Sequence, residues 1–300
     1  MIVALGMPSG AYAQGYVDQQ KVSSILNCQG GRGNSTLPQP VSWHLYHYIN
    51  NNDTLHKGAW EQLMAHADSL PGVYQGYRRY IIELANRTEG NHFKVGNNIL
   101  VPDSFPTDYR AYSPYPLHYP VADTIAKLFI IDKYTQTFGA YEHGKLVRWG
   151  LVSSGNTNKK TPAGRYNFNW KDSFRISNAS PPGERWELPF MVNFHIKWGL
   201  HVHQYSLPIG KAVSHGCVRV AMADAYWNYK WANGTIWGNN SIKSNGTPVM
   251  VINDNPPANR AYHWLIKDGM VQSLVHLPED LYTIPTGSYM QTQADWLSGR

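Results

Sequence analysis

The sequence predicts a mainly β fold preceded by a small α+β module. Charged residues make up only 15% of the 300 residues and aromatic residues 13%, a composition typical of β-rich chains rather than helical bundles. From residue 127 onward, short runs of β-branched and aromatic residues alternate with turns that contain Gly or Pro. Helix-compatible stretches lie mostly before residue 105, between two strand-like runs.

Composition also disfavours two classes of protein. No run approaches the ~20 consecutive apolar residues of a membrane-spanning helix. The net charge of +6 is modest, and the basic residues are scattered rather than gathered into the stripe that nucleic-acid binding requires. We therefore expect neither a transmembrane segment nor a nucleic-acid partner.

The first 43 residues predict export followed by a leader. Residues 1–13 end in Ala-Tyr-Ala after an apolar run, as a secretory signal does, although a basic start is missing and a plain apolar N-terminus is the alternative. Residues 14–43 are rich in Gly, Gln and Pro, which predicts a leader or linker. Cys28 lies in this leader, so a role separate from that of Cys217 is favoured over a disulfide.

Residues 44–105 predict the small α+β module. A strand at 45–49 precedes helices at 59–69 and 74–87, and the run 93–102 closes the module. Residues 106–126 are rich in Tyr and Pro and predict an extended linker.

Residues 127–253 predict the β-rich domain. The strand signals fall at 127–132, 137–142, 146–152, 165–170, 189–194, 199–203 and 246–252, and a helix is predicted at 222–231. Residues 254–300 form an extension for which the sequence predicts no role.

The segment 214–219, Ser-His-Gly-Cys-Val-Arg, carries the strongest chemical signal. Gly216 permits a turn that exposes Cys217, and the N–H groups of these two residues can face a developing oxyanion. Arg219 adds a positive charge that can lower the pKa of a thiol or hold a carboxylate. Upstream, His201 and His203 alternate onto one face of a predicted strand, and a thiol with an imidazole in reach is the minimal set for covalent catalysis.

Residue types alone leave three interpretations of Cys217 open: an acyl-transfer nucleophile, a small core residue, or a metal ligand. A tetrahedral metal site would draw on His195, His201, His203, His215 and Cys217. No carboxylate base accompanies them as in the His-Glu-x-x-His pattern, and a ligand Cys does not need a preceding Gly. We therefore expect no metal.

Residues 127–253 resemble the L,D-transpeptidase (YkuD-like) catalytic domain. The matching residues are His203 followed by the segment 214–219, Thr-Pro-Ala-Gly at 161–164, and Gly-Thr-Pro-Val at 246–249. This resemblance implies a β-sandwich catalytic domain with a short helix after the Cys motif.

Residues 44–105 resemble a LysM module, the small glycan-binding unit. The matching residues are Asp-Thr-Leu at 53–55, Leu-Ala-Asn at 84–86 and the closing run 95–102. A generic α+β accessory domain is the alternative.

The catalytic-domain resemblance implies acyl transfer on peptidoglycan stem peptides. Cys217 would attack the third-residue carbonyl of a tetrapeptide and release D-Ala, and an amine of another stem or of a protein Lys would resolve the thioester. His203 is the implied general base, held by the Gln204 carbonyl, and His201 is its competitor. His215 and Gly216 would form the oxyanion site. Ser214 would be a turn residue, and Arg219 would contact substrate or anchor the motif.

The resemblance further implies no cofactor, binding of peptidoglycan glycan and stems, covalent inhibition by carbapenems, and a periplasmic or wall-associated location. Two alternatives stay open. Water or a free D-amino acid could resolve the thioester, giving a carboxypeptidase, an exchange enzyme or a hydrolase of wall attachments. The second alternative is a wall-binding protein without activity. This alternative is disfavoured because the full set of motif residues is intact, namely His203, His215, Cys217 and Arg219.

Overall fold

The computed structural model describes residues 17–29, 36–50, 56–72, 75–208, 210–239, 242–255, 266–267, 270–271, 275–287 and 296–297, so the expected signal at 1–13 lies outside the described residues. The helices are α1 (Gln19–Asn27), α2 (His56–Ser69), α3 (Arg78–Asn86) and α4 (Met222–Trp231). The strands are β1 (Trp43–His47), β2 (Asn98–Pro102), β3 (Leu128–Asp132), β4 (Thr137–Glu142), β5 (Lys145–Ser153), β6 (Gly164–Asn167), β7 (Lys171–Ile176), β8 (Glu187–His195), β9 (Leu200–Gln204), β10 (Val218–Val220), β11 (Ile236–Trp237), β12 (Ile242–Ser244), β13 (Pro248–Ile252), β14 (Ile266–Lys267) and β15 (Met270–Val271). None of the helices described here is long and apolar enough to cross a membrane.

A nine-stranded sheet forms the body of the protein, in the order β6-β13-β3-β4-β5-β10-β9-β8-β7. Its neighbouring strands are antiparallel except for the pairs β13–β3 and β10–β9, which are parallel. Phe129 and Phe138 from one half of the sheet share a buried apolar cluster with Val192 and Val202 from the other half. The predicted mainly β class is confirmed, and the two layers of its core are the halves of one curled sheet.

Most predicted elements of the β-rich domain are present within a few residues of their expected bounds, including the helix after the Cys motif. β7 and β10 are not predicted. β10 has only three residues, and most side chains of β7 are exposed, so neither carries the apolar run that marks a strand in sequence.

The segment 44–105 has the expected strand-helix-helix-strand order, with β1 and β2 paired antiparallel on either side of α2 and α3. Its interior is continuous with that of the β-rich domain, because Leu63, Ile81 and Leu100 share one buried cluster with Leu128 and Trp149. This module therefore does not have a separate core.

The leader predicted for 14–43 contains a docked helix, α1. Val22, Ile25 and Leu26 are buried at helical spacing, and the Asp18 side chain caps the helix by accepting from the backbone N–H of Lys21. The weak apolar stripe lies among Gln, Ser and Asn, which is why composition indicated a linker instead.

The predicted linker 106–126 is also packed. Tyr109, Tyr112 and Tyr115 are no more than 2% exposed, and short 3-10 helices span Tyr109–Tyr112 and Pro120–Ala122. The prediction of an extended linker is wrong here because these tyrosines bury large aromatic surfaces in the common core.

Parts of the extension 254–300 cover the edge of the sheet at β6. The Gly287 N–H donates to the Arg165 carbonyl over 2.9 Å, and the Trp296 indole donates to the Tyr166 carbonyl over 2.7 Å. An edge strand exposes unpaired backbone groups, so this cover protects β6 from pairing with another chain.

Candidate active site

The site lies where β9 and β10 run parallel. Val202 pairs with Val218 and His203 pairs with Arg219, so continuing the register by one residue places His201 beside Cys217. Alternation sends Val202 and Val218 into the apolar core, and the polar side chains to the opposite face. The apolar residues at alternate positions therefore hold both strands in place and present the imidazoles next to the thiol.

His201 contacts the thiol directly. Its Nε2 lies 3.6 Å from the Cys217 Sγ, and its Nδ1 lies 2.7 Å from the Gly199 carbonyl oxygen. A carbonyl can only accept, so the proton of the neutral ring is assigned to Nδ1, and Nε2 carries the lone pair. The Cys217 Sγ also lies 3.8 Å from Nδ1, so the sulfur stands beside the ring, close to both nitrogens, rather than along that lone pair. This is the arrangement of a general base next to a nucleophile.

His203 lies behind this pair. Its Nδ1 is 2.8 Å from the Gln204 carbonyl oxygen, the contact expected from the sequence, and its ring centroid is 5.0 Å from that of His201. The ring that contacts the thiol is nevertheless His201, which the sequence analysis ranked second. The parallel register decides this, since it pairs Cys217 with His201 and Arg219 with His203.

Burial keeps the whole cluster uncharged. It lowers the pKa of His201 to about 4 and, together with the nearby His201, that of His203 to about 3. Burial also raises the pKa of the Cys217 thiol to about 11, although the His201 contact and the Arg219 charge act in the opposite direction. At neutral pH the site therefore holds a thiol beside a neutral imidazole rather than a preformed thiolate–imidazolium pair.

The turn before the thiol depends on Gly216 and Ser214. Gly216 has φ +116°, a region that favours glycine, and an added Cβ would lie 3.1 Å from a Leu200 methyl carbon. The Ser214 hydroxyl donates to the Cys217 carbonyl and accepts the Gly216 N–H over 3.0 Å. Because the Gly216 N–H is engaged in this way, it does not face an oxyanion as the sequence analysis expected.

Thr161 braces the same turn and was not singled out as a site residue. Its hydroxyl donates to the Gly216 carbonyl over 2.7 Å and accepts the Gly155 N–H over 2.8 Å, and it is fully buried. Its place in the Thr-Pro-Ala-Gly motif was the only signal that marked it in the sequence.

His215 and Arg219, on either side of Cys217 in the sequence, contact different partners. His215 is exposed and stacks on Trp186, with ring centroids 5.5 Å apart. The Arg219 guanidinium lies 4.6 Å from the Tyr205 ring centroid and donates to the Ser206 carbonyl over 3.4 Å. These contacts fit the expected role of Arg219 as an anchor of the motif.

The segment after β9 is held by the N-terminal helix. The Gln19 side chain donates to the Tyr205 carbonyl over 2.7 Å and accepts from the Gln204 side chain over 3.1 Å and from the Met222 N–H over 2.8 Å. One amide thus ties α1 to the start of α4 and to the residues that follow His203. Gln19 could not be found from the sequence because its three partners lie 185 to 203 positions away.

Three of the five side chains considered as metal ligands converge. His201, His203 and Cys217 each offer one ligand atom, and these atoms all lie within 4.8 Å of one another. His195 stacks on Trp198 with centroids 4.8 Å apart, and His215 is exposed on Trp186, so neither belongs to the cluster.

Residues 126–251 match the sequence family described as the L,D-transpeptidase catalytic domain, YkuD. The match includes β9, the Cys segment, α4 and most of the sheet. No curated protein is significantly similar to the chain.

Solved structures of L,D-transpeptidases are distantly similar to this fold. The L,D-transpeptidase (Yku) from Stackebrandtia nassauensis is 23% identical over 45% of this chain and 58% of its own, with a TM-score of 0.35. An L,D-transpeptidase from Mycobacterium smegmatis is 19% identical over 53% of this chain and 64% of its own, with a TM-score of 0.34. The L,D-transpeptidase (residues 123–326) from Xylanimonas cellulosilytica is 20% identical over 72% of this chain and 98% of its own, with a TM-score of 0.38.

This chain thus covers less than two thirds of the length of the first two structures. The family assignment rests on the sequence match, which coincides with the sheet that carries the thiol and its imidazole. Residues 126–251 of this chain belong to the L,D-transpeptidase (YkuD) catalytic domain family.

Proposed function

We propose that this protein is a peptidoglycan L,D-transpeptidase in which Cys217 is the nucleophile and His201 the general base. The observation that carries the proposal is the contact of 3.6 Å between the His201 Nε2 and the Cys217 Sγ, with the His201 Nδ1 held by a backbone carbonyl. The carbonyl contact thereby fixes the tautomer in which Nε2 is unprotonated and able to accept the thiol proton.

In the first half-reaction the His201 Nε2 takes the proton from the Cys217 Sγ while the sulfur attacks the third-residue carbonyl carbon of a tetrapeptide stem. The tetrahedral intermediate collapses, the C–N bond to D-Ala breaks, and the His201 imidazolium returns its proton to the departing amine. The acyl group remains on the sulfur as a thioester. In the second half-reaction an acceptor amine attacks the thioester carbonyl, its proton passes to the base, and the thiol is regenerated.

The site supplies electrostatic support for this chemistry from the loop itself. With the Gly216 N–H engaged by Ser214, we assign the oxyanion contact to the Cys217 N–H, beside the exposed His215 ring. Burial lowers the pKa of His201 most, a backbone hydrogen bond raises it, and the charge of Arg175 lowers it further. Burial also lowers the pKa of His215 most, and the charges of Lys159 and Arg219 lower it further. These cations create a positive field that suits a substrate ending in the D-Ala carboxylate.

Replacing the nucleophile tests the proposal. Cys217→Ala is expected to abolish consumption of purified tetrapeptide muropeptides, because no other thiol lies within reach of His201 among the described residues. Cys28→Ala is the matched control and is expected to leave the rate unchanged, since Cys28 is an exposed free cysteine. Undiminished turnover by the Cys217 variant would contradict the mechanism.

Mass analysis of the products determines the acceptor. Both reactions release free D-Ala in the first half-reaction. With an amine acceptor present, a transpeptidase additionally yields cross-linked muropeptides, whereas hydrolysis yields uncross-linked tripeptides. We also expect a carbapenem to add covalently at Cys217, which intact mass spectrometry detects as a mass shift. Labelling at Cys28 instead would count against the assigned nucleophile.

We further propose, from the sequence resemblance, that residues 44–105 bind glycan and that the protein acts outside the cytoplasmic membrane. Deleting the module is a poor test because it shares the core of the β-rich domain. Nuclear magnetic resonance of the full chain with N-acetylglucosamine oligomers avoids this difficulty. Shifts within 44–105 support the module's role, and shifts confined to 126–251 contradict it.

A further inference from the structure

The side chains of Cys217 and of the two histidines on β9 lie close enough together to be considered as metal ligands. His201, His203 and Cys217 place one ligand atom each within 4.8 Å of the others, and the His201 Nε2 and the Cys217 Sγ are already 3.6 Å apart. Two ligands of a tetrahedral zinc ion stand about 3.5 Å apart, given Zn–N and Zn–S bonds of about 2.0 and 2.3 Å. Zinc binding would draw the three ligand atoms, which now lie within 4.8 Å of one another, to about that separation.

The hydrogen bonds of both rings match those of metal-binding histidines. The His201 Nδ1 is held by the Gly199 carbonyl and the His203 Nδ1 by the Gln204 carbonyl, at 2.7 and 2.8 Å. Metal-ligating histidines commonly donate the other ring N–H to a backbone carbonyl, which fixes the ring and leaves the second nitrogen with its lone pair. In both rings Nε2 is therefore the nitrogen that carries the lone pair available to a metal.

The surroundings also select the type of metal. Two imidazoles and a thiolate, without a carboxylate, favour a borderline-soft ion over Mg²⁺ or Ca²⁺. His201 and His203 are 8% and 4% exposed, and Cys217 remains partly exposed, so an ion can enter from the thiol side and retain a water as its fourth ligand.

We propose that His201, His203 and Cys217 bind Zn²⁺ and that the bound ion reversibly blocks the nucleophile. On binding, an Sγ–Zn bond forms, the thiol proton is released to solvent, and the Nε2 lone pairs of both rings are taken up by the metal. No electron transfer is involved. A metal was not expected from the sequence because no carboxylate base is present and a ligand Cys does not need a preceding Gly. A blocking site needs no such base, and the turn at Gly216 does not prevent the sulfur from ligating.

This metal site gives the second ring, His203, a role as a ligand. The thiol needs only one imidazole as a base, and His201 fills that role, whereas a stable metal site needs the second ring. Metal binding does not depend on the proposed acyl transfer, but its inhibitory consequence does.

Cobalt binding to the full chain tests the site. In a Cys28→Ser background, so that Cys217 is the only thiol, one Co²⁺ per chain is expected to give the visible bands of a tetrahedral site and a near-ultraviolet thiolate-to-cobalt band. Zn²⁺ is expected to displace the cobalt and abolish both. Adding Cys217→Ser should remove the thiolate band, and adding His203→Gln should weaken cobalt affinity by about tenfold or more.

His195→Gln is the matched control, because it removes a largely buried histidine outside the cluster and should leave cobalt affinity unchanged. Circular dichroism melts establish that each variant is folded. The site is refuted if the thiolate band is missing at stoichiometric Co²⁺, if it survives Cys217→Ser, or if the folded His203→Gln variant binds cobalt as tightly as its parent.

The blocking step is measured by alkylation, which requires no turnover. Zn²⁺ should slow iodoacetamide modification of Cys217 in the Cys28→Ser protein and have little effect in its His203→Gln derivative, as followed by intact mass. Equal rates with and without Zn²⁺ in the parent would overturn the inhibitory claim. A cobalt site in a protein without acyl-transfer activity would refute the proposed function while leaving the metal site standing.

Discussion

The His201–His203 pair on β9 and the His44–His66 pair between β1 and α2 have similar ring spacing, with centroids 5.0 and 5.1 Å apart. Their partners differ. The first pair is bonded to two backbone carbonyls and contacts a thiol, and both rings are almost fully buried. The second pair forms a direct contact of 2.8 Å between its Nε2 atoms, and His44 is held 2.5 Å from a carboxylate oxygen of Asp103.

The two histidine pairs also differ in their solvent exposure and in the charge of their hydrogen-bond partners. His44 and Asp103 have side chains 33% and 44% exposed, so their contact is screened by water and contributes little to stability. The buried pair has only neutral acceptors, which favours uncharged imidazoles with free lone pairs. Imidazole proximity alone therefore does not define a site; the thiol, the carbonyl partners and the exclusion of water do.

Removing one ring from each pair should affect the reaction rate very differently, and loss of the His201 ring should have the largest effect. His201→Ala should reduce tetrapeptide turnover by about 10²- to 10⁴-fold, the usual contribution of a general base. His203→Ala should cost less, because that ring lies behind the base, and His66→Ala should leave the rate unchanged. The measurement is initial D-Ala release with metal chelated. A loss from His203→Ala that exceeds the loss from His201→Ala would return the base role to His203.

Acid should destabilise the buried pair more than the exposed one. His201 and His203 have pKa values near 4 and 3 in the folded chain, against an ordinary value of 6.5, so the unfolded chain binds more protons between these limits. Stability is thus lost as the pH falls from about 6.5 toward 4. Asp224 acts in the opposite sense, because burial raises its pKa to about 6 and the folded chain then binds more protons than the unfolded one below that pH.

Comparing variants isolates the histidine contribution from that of Asp224. The urea midpoint of the parent should fall more steeply on acidification than that of His203→Gln, whereas His66→Gln should change the slope less. Parallel curves for the parent and His203→Gln would show that burial does not hold this ring neutral.

Gln19 gives the smallest expected effect and tests the support behind the buried pair. Gln19→Ala should lower stability by about 1 kcal/mol, since it leaves the partly buried Tyr205 carbonyl and Gln204 side chain without their partner. If it positions the segment after His203, kcat should fall by more than KM rises. Gln20→Ala, on the exposed side of the same helix, is the control. An unchanged kcat with reduced stability would make Gln19 purely structural.

Local signals predicted much of the fold and of the site. Runs of β-branched and aromatic residues marked β3, β4 and β5, and the helix at 222–231 was predicted with its observed bounds. The signal for the proposed nucleophile was also local, because Gly216 and Ser214 build the turn at Cys217 within three residues of the sulfur. The packing of Tyr109 and α1 was not predicted, because it depends on surfaces supplied by distant strands.

By itself the sequence determined the β-rich class and the family match of residues 126–251, and it singled out Cys217 as the candidate nucleophile, since each depends on composition or on a short contiguous motif. It also determined that His201 and His203 share one strand face, because that follows from alternation. Only the tertiary structure decided which of them contacts the sulfur. That choice depends on the register between β9 and β10, which is set by the burial of Val202 against Val218 across a parallel pair and leaves no trace in the spacing along the chain.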